Sequence, residues 1–356
     1  MSVSFAVVEN KTTLDNETLE MLSSPTIKNA LPVVYLIVAM ISLPGNGFSL
    51  FLLCQTQPKT PSIIFMINLT ITDLVLGIFL PFQSMYHWSG NNWTFGSSLC
   101  SVVTVLFYSN MYCSIITMTC ISLERYAGVV HPMYCTRWRT KRYSVLVCFG
   151  MWAAVLIALL PLEMNDLTYQ VDVLNITTCF DILRADMLPS KEAWAAFLFT
   201  LFLVLFLIPF CITVYCYIRI IAKLIRTSSY HGYEQKRRAI CLALIVLLVF
   251  ITCFAPNNLI LLVHMIKRIF YAGGIYSAYK ITLTLSCLNS CLDPFIYYFA
   301  SKEFRKKLRT YFGFANVSSQ GSLTEYRRES MLSMRSGQHQ HNLEAQLSLN
   351  KANGTA

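Results

Sequence analysis

Charge is what this chain has least of: of 356 residues, 13% are Asp, Glu, Lys or Arg, whereas 55% are hydrophobic and the mean hydropathy is +0.52. Soluble domains carry about 25% charged residues, so a soluble core is excluded as the main reading and an integral membrane protein takes its place. Other absences narrow the class. Residues 1–30 are polar and carry both charge signs, so they lack the basic start and short apolar core of a signal peptide, and the first apolar stretch must serve as its own insertion signal. No repeat relates the two halves, which argues against a secondary transporter. No nucleophile–base pair or metal-ligand cluster lies within the apolar stretches, and His264 stands alone near an outer end, which argues against an intramembrane enzyme. No cysteine lies beyond Cys291, leaving no obvious palmitoylation site after the last apolar stretch.

What is present is seven long apolar stretches, near residues 31–54, 62–86, 98–123, 143–162, 194–218, 239–265 and 276–299, each long enough for one membrane crossing. The pattern predicts an all-α membrane protein: a seven-transmembrane helix bundle over 31–300, behind a disordered extracellular N-terminus, 1–30. A short amphipathic helix at the membrane surface follows over 301–314, then a disordered cytoplasmic tail, 315–356. The third stretch is the axis. From Cys100 to Arg125 it spans roughly 37 Å at 1.5 Å per residue, which joins two aqueous surfaces.

Charge fixes the orientation. With the amino end outside, 21 of the 28 Lys and Arg fall inside and 10 of the 18 acids fall outside, as the positive-inside rule requires in a plasma-membrane protein with a cytoplasmic carboxyl end. The net charge of +10 therefore calls for no nucleic-acid partner; the inner face meets anionic membrane lipid and a protein. Sequons at Asn10, Asn16 and Asn175 fall outside and are the expected glycosylation sites, with Asn92 ranked lower for its closeness to the membrane. Most of the 13 cysteines read as small buried hydrophobes, but Cys100 and Cys179 face the oxidising side and are expected to form a disulfide.

Asp73 and Asp293 are intramembrane carboxylates, functional by default because of their cost in hydrocarbon. Prolines occur in or near six of the seven stretches, at Pro44, Pro81, Pro161, Pro209, Pro256 and Pro294, leaving the third unbroken. In a packed bundle such a bend becomes a place to move, although static kinking is the better reading of Pro44 and Pro161. Phe304, Leu308, Tyr311 and Phe312 recur at helical spacing among basic residues, as a helix on the inner leaflet would. Beyond it, Ser318, Ser319, Ser322, Ser330, Ser333 and Ser336 offer phosphorylation sites.

Gly45-Asn46, Asn68-Leu69 with Asp73, Cys100, Glu124-Arg125-Tyr126, Trp152, Pro209 with Tyr217, Cys253-Phe254-Ala255-Pro256 and Asp293-Pro294 with Tyr297 supply one constellation per stretch. Together they resemble the rhodopsin-like (class A) G protein-coupled receptors over roughly residues 28–314. Phe254, Asp293 and the run Phe107 to Tyr112 look like the family's purinergic and lipid-sensing branch. The resemblance implies a cell-surface receptor, not an enzyme. Its partners would be a small extracellular ligand and a heterotrimeric G protein, with arrestin and receptor kinases acting on the Ser-rich tail. Glu124, Arg125, Tyr126, Tyr217, Phe250, Phe254, Pro256 and Tyr297 would form the switch and coupling machinery. One departure stands out: the base of the sixth stretch carries Lys236-Arg237-Arg238 where some relatives place an acid, so Arg125 must rest on packing or on Glu124.

By the same resemblance Asp73, Asn110, Ser114, Asn289, Ser290 and Asp293 match an intramembrane sodium pocket; no other cofactor is implied. The alternative is one protonated Asp and no ion. The ligand site would be lined by Tyr108, Tyr112, Asn257, Asn258, Leu261 and Lys280 under a loop carrying Arg184 and Lys191. Nucleotide-sensing relatives usually hold phosphates with a His and a Lys or Arg where this chain has Asn258 and Leu261. One lysine compensates a triphosphate poorly, so an anionic amphiphile is expected over a nucleotide, with a ligand anion satisfying Lys280; a snorkelling lysine is the rival reading. The family's frequent second disulfide is absent, since neither the N-terminus nor the third outer loop has a cysteine.

Overall fold

The computed structural model describes residues 16–131, 140–181, 189–226, 233–270 and 276–312. Twelve helices and one hairpin are formed among them: α1 (Asn16–Ser23), α2 (Pro25–Gln55), α3 (Pro61–Trp88), α4 (Ser97–Val130), α5 (Lys141–Glu163), β1 (Thr168–Val171), β2 (Ile176–Cys179), α6 (Lys191–Thr200), α7 (Ile208–Arg226), α8 (Tyr233–Val249), α9 (Ala255–Phe270), α10 (Tyr276–Ser286), α11 (Asn289–Ala300) and α12 (Lys302–Tyr311). The chain divides into two compact units, residues 1–304 and 305–356; the described part of the second is the end of α12 and Phe312.

Several helix starts are written in the sequence. Thr60, Thr140 and Ser190 each accept a backbone N–H three residues on, from Ile63, Tyr143 and Ala193, and Pro61 occupies a first-turn position where its missing donor costs nothing. Among the described residues, six helical stretches are long and apolar enough to cross a membrane: Ile27–Gln55, Pro61–Trp88, Ser97–Val130, Lys141–Glu163, Glu192–Arg226 and Lys236–Val263. The seventh crossing is split. α10 and α11 are each too short alone and meet at Cys287-Leu288, where the backbone bonds shorten to a three-residue reach (Cys287 to Thr284, Leu288 to Leu285, Ser290 to Cys287).

Prolines lie near the irregular turns of the fifth and sixth crossings and inside α11. Pro294 has no N–H for the carbonyl of Ser290, and Asn46 of α2 supplies one through its Nδ2 at 2.8 Å. Gly45 lies beside the same proline: a Cβ there would meet Pro294 Cγ at 3.6 Å, an ordinary contact. In the fifth and sixth crossings the chain widens into π-turns, Leu201–Leu207 and Phe250–Phe254, just before Pro209 and Pro256. α4 contains no proline, as expected of the axis.

Two features depart from the sequence reading. Residues 16–30, expected to be disordered, form α1 and the first turns of α2, and Met21, Leu22 and Ile27 are buried. Three apolar side chains, two in α1 and one in α2, were hidden by their polar neighbours. Asn91 holds this segment by donating to the carbonyl of Leu22 (2.9 Å). The second departure is the unforeseen β1–β2 hairpin, paired Thr168 to Cys179 and Val171 to Ile176, with Asn175 in the left-handed region (φ 49°). Residues 1–15 and 313–356, with Asn10 and the tail serines, lie outside the described residues.

The N-terminal finding is testable. Truncating Leu22 to Ala should cost about 2–5 kcal/mol, the range for a buried leucine. The purified protein should therefore melt measurably earlier, whereas a free segment would leave the melting curve unchanged.

Candidate functional site

The polar side chains gather at three depths. At the outer end, the Cys100–Cys179 disulfide ties the second outer loop to α4. Phe180 follows in the left-handed region (φ 59°), a costly place for a bulky residue, with its ring 5.6 Å from that of Tyr108. Asp181 is thereby turned inward and buried; it forms an ion pair with Lys280 of α10 and accepts the Tyr86 hydroxyl at 2.5 Å. Lys280 thus has a counter-ion within the chain, a partner the sequence reading did not foresee. The snorkelling alternative fails, as Lys280 is 7% exposed.

Below this pair Tyr108 hydrogen-bonds Tyr279, joining α4 to α10, and Tyr112, Asn257, Asn258 and Leu261 are all buried. The amide nitrogens of the asparagines are used, Asn257 against Met111 Sδ (3.3 Å) and Asn258 against the Phe254 carbonyl (2.9 Å). Their Oδ1 atoms and the Tyr112 hydroxyl have no hydrogen-bond partner among the described residues. Orphaned polar groups in a buried wall are costly unless something else fills them. Arg184 lies outside the described residues, as does the side chain of Lys191.

At mid-depth Asp73 and Asp293 are both fully buried; Asn110 donates to Asp73 (3.0 Å) and Asn289 to Asp293 (3.1 Å). Asp73 Oδ2, Asp293 Oδ1, Asn289 Oδ1 and Ser114 Oγ are left without partners among the described residues. Two carboxylate and two neutral oxygens suit a hard cation such as sodium. Ser290 belongs less clearly to this set, since its hydroxyl donates to the Cys287 carbonyl at the helix break (2.8 Å). Asn68, by contrast, is a structural tie: it donates to Thr117 (3.1 Å) and accepts from the Trp152 indole (3.0 Å).

At the inner end Arg125 pairs with Glu124 (3.5 Å), and both share a partner that sequence reasoning missed. Ser62 of α3 donates to Glu124 at 2.5 Å and accepts from Arg125 at 3.0 Å. Its position just inside the capped start of α3, on another stretch, gave no sequence signal of this meeting. Tyr126 turns elsewhere, to His131 (3.2 Å) and the ring of Tyr215. Tyr217 and Tyr297 are buried with unpartnered hydroxyls among the described residues. Phe206, Phe210, Phe250 and Phe254 form a run of ring contacts, 5.6 to 5.9 Å apart, between the fifth and sixth crossings.

A bundle split at its seventh crossing, with a carboxylate pair at mid-depth and an Arg held at an inner helix end, has the layout of a transmembrane signalling receptor. The model of the 7 transmembrane receptor (rhodopsin family) matches residues 45–297. The chain belongs to that family. It is 61% identical over 330 residues to purinoceptor 8 of Gallus gallus, covering 92% of each chain. It is 56% identical over 329 residues to the S-geranylgeranyl-glutathione receptor of Homo sapiens, covering 92% of this chain and 91% of that one. Proteinase-activated receptor 2 of Rattus norvegicus is similar at 39% over 308 residues, covering 85% and 77%. The protein is thus a multi-pass plasma-membrane receptor of the purinergic-like group, which takes a small extracellular ligand and couples to a heterotrimeric G protein, and these relatives are receptors rather than enzymes.

Ser62 yields a prediction. Ser62→Ala removes the hydroxyl shared by Glu124 and Arg125, so ligand-free G-protein activation should rise several-fold at equal surface expression; unchanged basal signalling would reduce Ser62 to a packing residue.

Proposed function

We propose that this receptor converts binding of an S-prenylated glutathione conjugate, or a closely related amphiphile with a charged head and an apolar tail, into G-protein activation. The observation that carries the proposal is the state of Lys280, the one buried lysine among the described residues, which is already neutralised by Asp181. A polyphosphate needs several unpaired cations, and this wall offers tyrosines and amides instead. The human relative's name, S-geranylgeranyl-glutathione receptor, points to the same chemistry. Tyr108, Tyr112, Asn257, Asn258, Leu261 and Lys280 form the ligand wall in this reading. Ligand entry would reset the packing of the sixth crossing at the Phe250–Phe254 π-turn and free Arg125 from Glu124 for the G protein, with Tyr217 and Tyr297 turning to support it.

The amino end lies outside and carries glycans at Asn10, Asn16 and Asn175; the turn position of Asn175 supports this. The carboxyl end lies inside, where its serines serve receptor kinases and arrestin, and α12 rests on membrane lipid. A sodium ion held by Asp73, Asn110, Ser114, Asn289, Ser290 and Asp293 favours the resting state.

Two measurements test the proposal. Cells bearing a G-protein dissociation sensor should respond to S-geranylgeranyl-glutathione and stay silent to adenine and uracil nucleotides; the reverse pattern overturns the ligand class. Raising sodium should lower basal activation in the native receptor but not in Asp73→Asn, and a native receptor insensitive to sodium overturns the ion.

A further inference from the structure

We infer that Asp181 and Lys280 together form a subsite for a zwitterion, in which the ligand's ammonium takes Asp181 and its carboxylate takes Lys280. This deepens the proposed function and rests on it. The pair is buried on both sides, with side-chain exposures of 0% for Asp181 and 9% for Lys280. Charges so placed stay only while paired. A simple anion arriving at Lys280 would strip Asp181 of its counter-ion and sit beside a second negative charge. A simple cation arriving at Asp181 would leave Lys280 in the mirror position. A head group carrying both charges replaces one ion pair by two and leaves no charge uncompensated.

The surroundings fix the carboxylate rather than the ammonium. Asp181 is held by the Tyr86 hydroxyl, by the left-handed turn at Phe180 and, two residues back, by the disulfide to α4. Lys280 hangs on a flexible stem from α10, whose next residue toward the N-terminus, Tyr279, is bonded to Tyr108. Lys280 is therefore the member that moves when the pair opens, and its movement bears on the Tyr108–Tyr279 contact between α4 and α10. A zwitterionic head would thus act where the unbroken helix meets the split one. The γ-glutamyl end of a glutathione conjugate, with an ammonium and a carboxylate on one carbon, has this chemistry.

The test modifies the ligand first. On the native receptor, S-geranylgeranyl-glutathione should be at least about tenfold more potent than its N-acetyl derivative, which lacks the ammonium. On Asp181→Asn the parent should fall to the derivative's potency, so that the gap closes, whereas on Lys280→Gln the methyl-esterified and free-acid probes should become equal. Equal potency of the parent and N-acetyl probes on the native receptor, or an undiminished gap on Asp181→Asn, overturns the subsite alone. Should Asp181→Asn fail to reach the surface, Asp181→Glu and the native comparison decide, the former keeping the gap. A native receptor silent to every probe overturns the proposed ligand class and this subsite with it.

Discussion

In hydrocarbon no water stands ready to satisfy a stripped carbonyl or an unpaired charge, and each polar element of this receptor answers that constraint. The carbonyl of Ser290, deprived of a donor by Pro294, takes one from Asn46 on the first crossing. This single bond gives the asparagine of α2 its role. At the Cys287-Leu288 break itself, the Ser286 and Ser290 hydroxyls donate to the carbonyls of Leu283 and Cys287 (2.6 and 2.8 Å). Within α11, Asn289 holds Asp293, which lies beside the carboxylate of Asp73.

The same constraint separates structural polar groups from functional ones. Asn68 and Thr119 spend hydrogen bonds on neighbouring helices: Thr119, for example, bonds to the Pro209 carbonyl (3.3 Å) and Thr213 (3.0 Å). Tyr112, Asn257, Asn258, Asp73 and Asp293 are equally buried yet keep unpartnered oxygens among the described residues. Such atoms stand where a ligand, an ion or a second packing arrangement has something to offer. Asn257 and Asp73 meet α4 at Met111 and Asn110, in the same turn as Tyr112.

Much of this was legible in the sequence because hydrophobic length, proline positions and one-per-crossing motifs are local signals. The seven crossings, the uninterrupted third helix, the Cys100–Cys179 bond and the Glu124–Arg125 pair could all be read there. Partners distant in sequence could not be read. Asp181 looked like one more loop acid until the disulfide and the turn at Phe180 delivered it to Lys280, and Ser62 looked like an ordinary first-turn serine. The order of residues 16–30 was missed because three buried side chains, Met21, Leu22 and Ile27, were outvoted by polar neighbours. The break at Cys287-Leu288 escaped notice because it is a change of backbone bonding from a four- to a three-residue reach, with no proline or glycine at the two residues to mark it.

In the proposed mechanism an event at the outer ion pair reaches Arg125 by repacking kinked helices about α4. Spin labels at the inner ends of α4 and α8, read by pulsed electron resonance in the native background, follow this motion directly. Addition of S-geranylgeranyl-glutathione should lengthen the inter-label distance by several ångströms, while labels at the inner ends of α3 and α4 hold theirs. G-protein activation with both distances unchanged would contradict this mechanism.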